Sequence, residues 1–102
     1  MLHQIEASHF QPLVGTTCSL ALPDGRALAV LVERVDLKPL SQMPGSRMPF
    51  AVAMTALGGS DFVHGSCALE LPTVGRLEGM FVSRVPAMGR DERAAYFQVV
   101  FN

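Results

Sequence analysis

Apolar residues at every second position dominate this sequence, and that spacing is typical of half-buried β-strands. Between Thr16 and Leu22, for example, Cys18, Leu20 and Leu22 alternate with small or polar residues. The same period, helped by many β-branched residues, recurs along most of the chain. The segments that we predict as strands are 16–22, 27–37, 50–57, 66–71, 76–85 and 95–101.

Short turn sequences separate these segments, and they predict an antiparallel arrangement. The clearest is Pro23–Gly25, where proline and aspartate suit the corner of a type I turn and glycine takes the positive φ that follows. No helix is long enough for a parallel crossover. We therefore predict an all-β fold for residues 1–102 as one domain, with about six mostly antiparallel strands. They form a small sandwich or a partly closed barrel, and the sequence does not separate the two.

One short helix is predicted before the first strand, over residues 8–14. Ser8 can cap its start, Pro12 is tolerated in the first turn, and Phe10, Leu13 and Val14 would share an inward face.

Two strands allow predictions of which side chains face inward. In residues 76–85, Leu77, Phe81 and Val85 are expected on one face, and Gly79 marks a bulge or a close backbone approach. In the last strand, four apolar residues are expected to face the core: Ala95, Phe97, Val99 and Phe101.

Two loops supply the candidate partner-binding residues. The segment "KPLSQMPGSRMP" (38–49) is too rich in proline to pair regularly, and Met43, Arg47 and Met48 lie in it. The charged run "GRDER" (89–93) contributes Arg90 and Asp91, although a hairpin turn explains the run without any ligand.

Composition and charge narrow the classes of partner. A formal net charge of -1 provides no field that would gather phosphates, so we predict neither nucleic-acid nor membrane binding. Only 17% of residues are charged, which favours contact with another protein or self-association. Cys18 and Cys67 lie within apolar alternation and are interpreted as reduced core residues, in keeping with a cytoplasmic protein.

No catalytic or metal-binding motif stands out. The histidines His3, His9 and His64 could bind a metal with Cys67 or Asp61, but a zinc site normally has two close ligand pairs, and only the mixed pair in "HGSC" is present. No signature of an activated nucleophile or of a phosphate-binding loop occurs. We therefore predict no metal, no cofactor and no catalytic residues.

Several motifs, taken in order, resemble a family of small uncharacterised bacterial proteins. They are "HFQPLVG", "LPDG", "RMPFAV", "LPTVG" before "RLEGMFVSRV", and the final "GRDERAAYFQVVFN", and they span Phe10 to Asn102. The segment "SDFVHGSCALEL" departs from the usual pattern of the family. The resemblance supplies no activity, since the family has no assigned function; because members occur beside tail-collar or tail-fibre-like proteins, it implies an accessory or assembly role in a phage-tail-like assembly.

Three functional hypotheses follow. The first is a non-catalytic structural or protein-interaction domain, supported by the apolar outward positions Ala51, Ala53, Val82 and Val100. The second is a small-ligand module with a pocket between the sheet layers or at a barrel mouth, lined by Phe50, Phe62, Phe81 and Phe97. The third, an enzyme that uses His64 with Asp61, requires both residues to share one cleft.

Overall fold

The computed structural model describes residues 2–102, except for the side chain of His3. It confirms the predicted fold class and decides its form, because six antiparallel strands close into a barrel in the order β1-β2-β3-β6-β5-β4. The strands are β1 (Thr17–Ala21), β2 (Ala27–Leu37), β3 (Phe50–Ala56), β4 (His64–Leu71), β5 (Gly75–Val85) and β6 (Ala95–Phe101). No helix among the described residues has the length and apolar character needed to cross a membrane.

The β1–β2 hairpin forms at the predicted turn. The Leu22 N–H donates to the Arg26 carbonyl at 2.8 Å, and the Gly25 N–H donates to the Leu22 carbonyl at 3.0 Å. Gly25 has a φ of 90°, which explains why glycine occupies this corner.

A bulge in β5 reverses the facing pattern that the sequence predicts. Cys67 pairs with Met80 and Leu69 pairs with Leu77, so β5 carries one extra residue at Gly79, whose φ is 71°. The predicted bulge is confirmed, but the predicted inward positions of Phe81 and Val85 are wrong: Phe81 is 58% exposed and Val85 is only partly buried. The extra residue instead turns Met80 and Val82 into the core.

Strand β3 lies between β2 and β6, and this central position accounts for its small outward residues. Ala51 and Thr55 point outward in the alternation yet are almost fully buried. The Thr55 hydroxyl donates to the Glu33 carboxylate at 2.8 Å, and Glu33 lies at a bulge in β2, where the register shifts between Val32 and Arg34.

The N-terminal segment closes the end of the barrel at which β3 begins and β6 ends. Instead of one helix over 8–14, a short α-helix, α1 (Ala7–Phe10), is followed by a 3₁₀ turn at Gln11–Leu13. Phe10 and Leu13 face inward as predicted. Two details differ: Val14 is exposed, and α1 begins before Ser8, with Glu6 as its N-cap. The Glu6 N–H donates to His9 Nδ1 at 2.9 Å, which replaces the expected serine cap.

Aromatic packing fills this end of the barrel. The Phe50 and Phe101 rings stack with centroids 4.7 Å apart, and Phe10 lies 5.5 Å from Phe101. The four inward residues predicted for β6 are all buried, which confirms that strand's pattern.

Candidate interaction surface

The loop between β2 and β3, together with Leu37 at the end of β2, is here called the arm (residues 37–49), and it is internally hydrogen-bonded. The Lys38 N–H donates to the Pro49 carbonyl at 2.8 Å and so closes the base of the loop. A 3₁₀ turn covers Pro39–Ser41, and the Gln42 side chain donates to the Ser46 carbonyl at 3.0 Å. A loop with close ends and its own contacts is a compact Ω-type loop, a kind that often carries function.

Three large apolar side chains of the arm extend into solvent. Leu37 is 55% exposed, Met43 is 69% exposed, and Leu40 is fully exposed. A surface depression of about 220 Å³ lies beside Leu40 and is also lined by Leu37 and Pro39. Burying a side chain of this size stabilises a complex by about 1.5–3 kcal/mol, so the group is well suited to a protein contact.

The arm is also positively charged. Residues 37–49 contain Lys38 and Arg47 and no carboxylate. No ion pair of Lys38 occurs among residues 2–102. A partner that buries Leu40 would therefore match the arm best with a carboxylate near Lys38.

Arg47 anchors the arm to both ends of the described chain. Its guanidinium donates to the carbonyls of Leu2 and Ile5, and to the main-chain oxygen of Asn102 at 2.9 Å. The same group lies against the Phe50 ring, 5.9 Å from its centroid. The guanidinium is therefore engaged within the chain, which gives Arg47 a positioning role.

The five predicted partner-binding residues do not come together. Met43, Arg47 and Met48 lie on the arm, where β2 ends and β3 begins, whereas Arg90 and Asp91 lie at the opposite end, between β5 and β6. Met43 is exposed, while Met48 is only half-buried. Leu37 and Leu40 were not among the predicted residues, although two large apolar residues on either side of a proline at the start of an irregular loop were a usable signal.

The charged run at residues 89–93 forms a turn before β6, as predicted. The Asp91 carboxylate accepts hydrogen bonds from the Arg93 N–H at 2.9 Å and from the Arg93 guanidinium at 3.1 Å. These bonds, the guanidinium first, lower the pKa of the Asp91 carboxyl below its ordinary value. Arg90 lies over the Tyr96 ring at 3.8 Å, and the Tyr96 hydroxyl donates to the Asp91 carbonyl at 3.0 Å.

The apolar outward face predicted from the sequence is only partly present. Val100 is 50% exposed, but Val82 faces the core and Ala51 is covered. Val82 pairs with Val99, so the next residues along each strand, Phe81 and Val100, lie side by side on the outside of the barrel.

The phenylalanines proposed to line a pocket are placed differently. Phe50 and Phe97 are fully buried in the core, and Phe62 packs 5.8 Å from Phe97. Phe81 lies outside the barrel, beside His64 at 5.9 Å. The four rings therefore line no common cavity.

The residues considered for metal binding or catalysis have local partners. Asp61 pairs with Arg26 at 3.3 Å, and the His64 ring lies against Phe81. Cys67 faces the core, its thiol lies 3.7 Å from the Gly65 carbonyl, and burial raises the thiol pKa. His64 and Cys67 are three residues apart on β4 and so lie on opposite faces. In the described part of the chain, no three histidine, cysteine or acidic residues form a metal-binding group; the side chain of His3 lies outside it.

Comparison with known protein families shows to which family the chain belongs. One family model matches residues 5–101, nearly the whole sequence. The chain belongs to the domain of unknown function DUF6916. This agrees with the resemblance to an uncharacterised family. No curated protein and no solved structure matches this DUF6916 domain significantly.

Proposed function

We propose that this DUF6916 domain is a non-catalytic protein-interaction module, and that its arm docks onto another protein. The observation that carries the proposal is the full exposure of Leu40, flanked by Leu37 and Met43, on a loop that is held in place by its own hydrogen bonds. An ordered loop loses little conformational entropy on binding, so most of the apolar burial is available as affinity.

The resemblance to a family encoded beside tail-fibre-like proteins suggests the setting. We place the module in a bacterial, phage-tail-like assembly, where an accessory domain holds a neighbouring subunit. The two cysteines are unbonded, which supports a reducing, cytoplasmic location during assembly.

A non-catalytic role agrees with the local pairing of the polar groups. Asp61 pairs with Arg26 of the β1–β2 turn, Asp91 pairs with Arg93 of its own turn, and His64 is packed against an aromatic ring. These groups therefore stabilise turns and strand ends.

Photo-crosslinking tests the arm directly. A photoreactive amino acid is placed at position 40, or at position 57 as the control, and the domain is co-expressed with the structural proteins encoded beside it. Leu57 is 71% exposed but lies at the opposite end of the barrel. We expect position 40 to crosslink to one defined partner and position 57 to none.

The Leu40→Ser variant measures the contribution of this contact. We expect it to weaken the complex by roughly 10- to 150-fold, because a buried leucine contributes about 1.5–3 kcal/mol, whereas Leu57→Ser leaves the affinity unchanged. If the partner is a second copy, light scattering will show a dimer that Leu40→Ser dissociates. Equal affinity of the Leu40→Ser and wild-type proteins would contradict the proposal.

A further inference from the structure

The barrel is closed between β1 and β4 by a single residue pair. Ala21 pairs with Ala68, and no further pair follows between these strands in residues 2–102. Every other neighbouring pair of strands shares at least four residue pairs. The edge of β1 on the N-terminal side of Ala21 and the facing edge of β4 are here called the seam.

Two residues of β1 direct their backbone groups into the seam. The Leu22 N–H donates to the Arg26 carbonyl, and the Val32 N–H donates to the Thr16 carbonyl at 3.0 Å, so even-numbered residues face β2. Because the backbone groups of successive residues in a strand point alternately to its two sides, the N–H and carbonyl groups of Thr17 and Ser19 point away from β2 and towards β4. Both residues are exposed and have no strand partner on that side within the described chain.

The other incomplete seam of the barrel is filled by the chain itself. Strands β5 and β6 pair only from Val82↔Val99 to Val85↔Tyr96, which leaves the first half of β5 without β6. The segment Leu2–Gln4 packs against that half, with the Leu2 side chain near Gly79. No helical segment of residues 2–102 makes comparable contact with β1 or β4. An unpaired strand edge presents free N–H and C=O groups, which are a template for pairing with another chain.

We propose that the seam accepts an extended peptide segment of a partner protein, which pairs with β1 at Thr17 and Ser19. Two donors and two acceptors in a row are the recognition surface of an added strand, since only an extended backbone matches their spacing. The inference deepens the proposed interaction role, because it adds a second contact on a different side of the domain from the arm.

The surroundings of the seam favour a peptide with a small side chain. Ala21, Ala68 and Gly79 border a surface depression of about 230 Å³ next to the seam, with Arg76 and Glu78 among its other lining residues. Arg76 forms an ion pair with Glu78 at 2.9 Å, so the opposite charges of these two lining residues offset each other. A small, uncharged side chain of the peptide fits this space without burying an unpaired charge.

Amide hydrogen exchange of the protein alone tests the first step. We expect the Thr17 and Ser19 amides to exchange at least about tenfold faster than those of Cys18 and Leu20, which are bonded to β2. The measurement is made at two protein concentrations. Slow exchange at Thr17 and Ser19, or protection that grows with concentration and so reveals pairing with a second copy, would overturn the proposal.

The second step uses peptides selected from a random twelve-residue display library. We expect bound peptides to protect the Thr17 and Ser19 amides, and we expect Ser19→Pro to weaken their binding by roughly tenfold while Ser19→Ala does not. Proline removes only the N–H that points into the seam, so the β2 pairing remains, and a melting curve checks this. Should Ser19→Pro fail to fold, the exchange protection on wild-type protein still decides.

The peptide-binding experiment also distinguishes the proposal for the seam from the proposal for the arm. Peptides that bind only at the arm, or a library that yields none protecting Thr17 and Ser19, would overturn the seam proposal and leave the proposed function standing. Seam peptides that bind Leu40→Ser as they bind wild type support the seam, even if Leu40→Ser has no effect on the partner complex.

Discussion

The guanidinium carbon of Arg47 lies 5.5 Å from the centre of the Phe101 ring, where it covers the aromatic end of the barrel. From that position the same side chain reaches main-chain oxygens on both sides, at Ile5 and at Asn102. One side chain of the arm therefore joins the N-terminal segment to β6. The arm is held against the barrel by this contact, which leaves Leu40 exposed at a fixed place.

We predict that Arg47→Lys lowers the free energy of unfolding by about 2 kcal/mol. Lysine keeps the charge but cannot reach three oxygens in a fork, so at least one partly buried carbonyl loses its donor, at a cost of about 1–3 kcal/mol. Urea unfolding measures the change. Arg93→Lys, at a side chain that is 90% exposed, is the matched control and should stay within about 0.5 kcal/mol of wild type.

We predict that Gly79→Ala destabilises the domain by about 1–2 kcal/mol. The φ of 71° is unfavourable for any residue with a Cβ, while the space around the added methyl group is adequate, so backbone strain is the main cost. Gly58→Ala is the control, because Gly58 has no positive φ and no atom within 4 Å of the added Cβ. Equal urea midpoints for the two variants would contradict the need for glycine in the β5 bulge.

The sequence predicts the strands well because apolar and polar residues alternate along a strand that has one buried and one exposed face. It fails where one extra residue changes the phase: the Gly79 bulge was recognisable, yet its effect on Phe81 and Val82 depends on pairing with β4. Barrel closure depends on pairs distant in sequence, such as Ala21 with Ala68. The position of Leu40 beside a proline was a usable signal, but the engagement of Arg47 could not be predicted, because its three oxygen acceptors lie more than 40 residues away in sequence.

The Asp91 turn should contribute to acid sensitivity. The folded-state pKa of Asp91 lies below the ordinary value of 3.8, so its stabilising effect is present above that value and is lost as the pH falls through the lowered pKa. We expect Arg93→Gln to move the pKa of Asp91 upward in an NMR titration, because the largest cause of the shift is the Arg93 hydrogen bond. Asp91→Asn should flatten the acid loss of stability more than Glu92→Gln, which removes the same charge at the neighbouring position. An Asp91 pKa that does not move in Arg93→Gln would refute this assignment.

Tyr96 provides a direct probe of the turn beside it, since it is the only tyrosine and the chain has no tryptophan. The residue is 7% exposed and its ring lies beneath Arg90, whose guanidinium also donates to the Ala87 carbonyl at 2.7 Å. We predict that Arg90→Ala uncovers the ring, increases acrylamide quenching of the tyrosine fluorescence and lowers the free energy of unfolding by about 0.5–1 kcal/mol, the usual size of a cation–π contact. Arg76→Ala, on the part of β5 at the other end of the barrel, should leave the quenching unchanged. Wild-type quenching in Arg90→Ala would mean that the barrel itself, and not the arginine, keeps solvent from the ring.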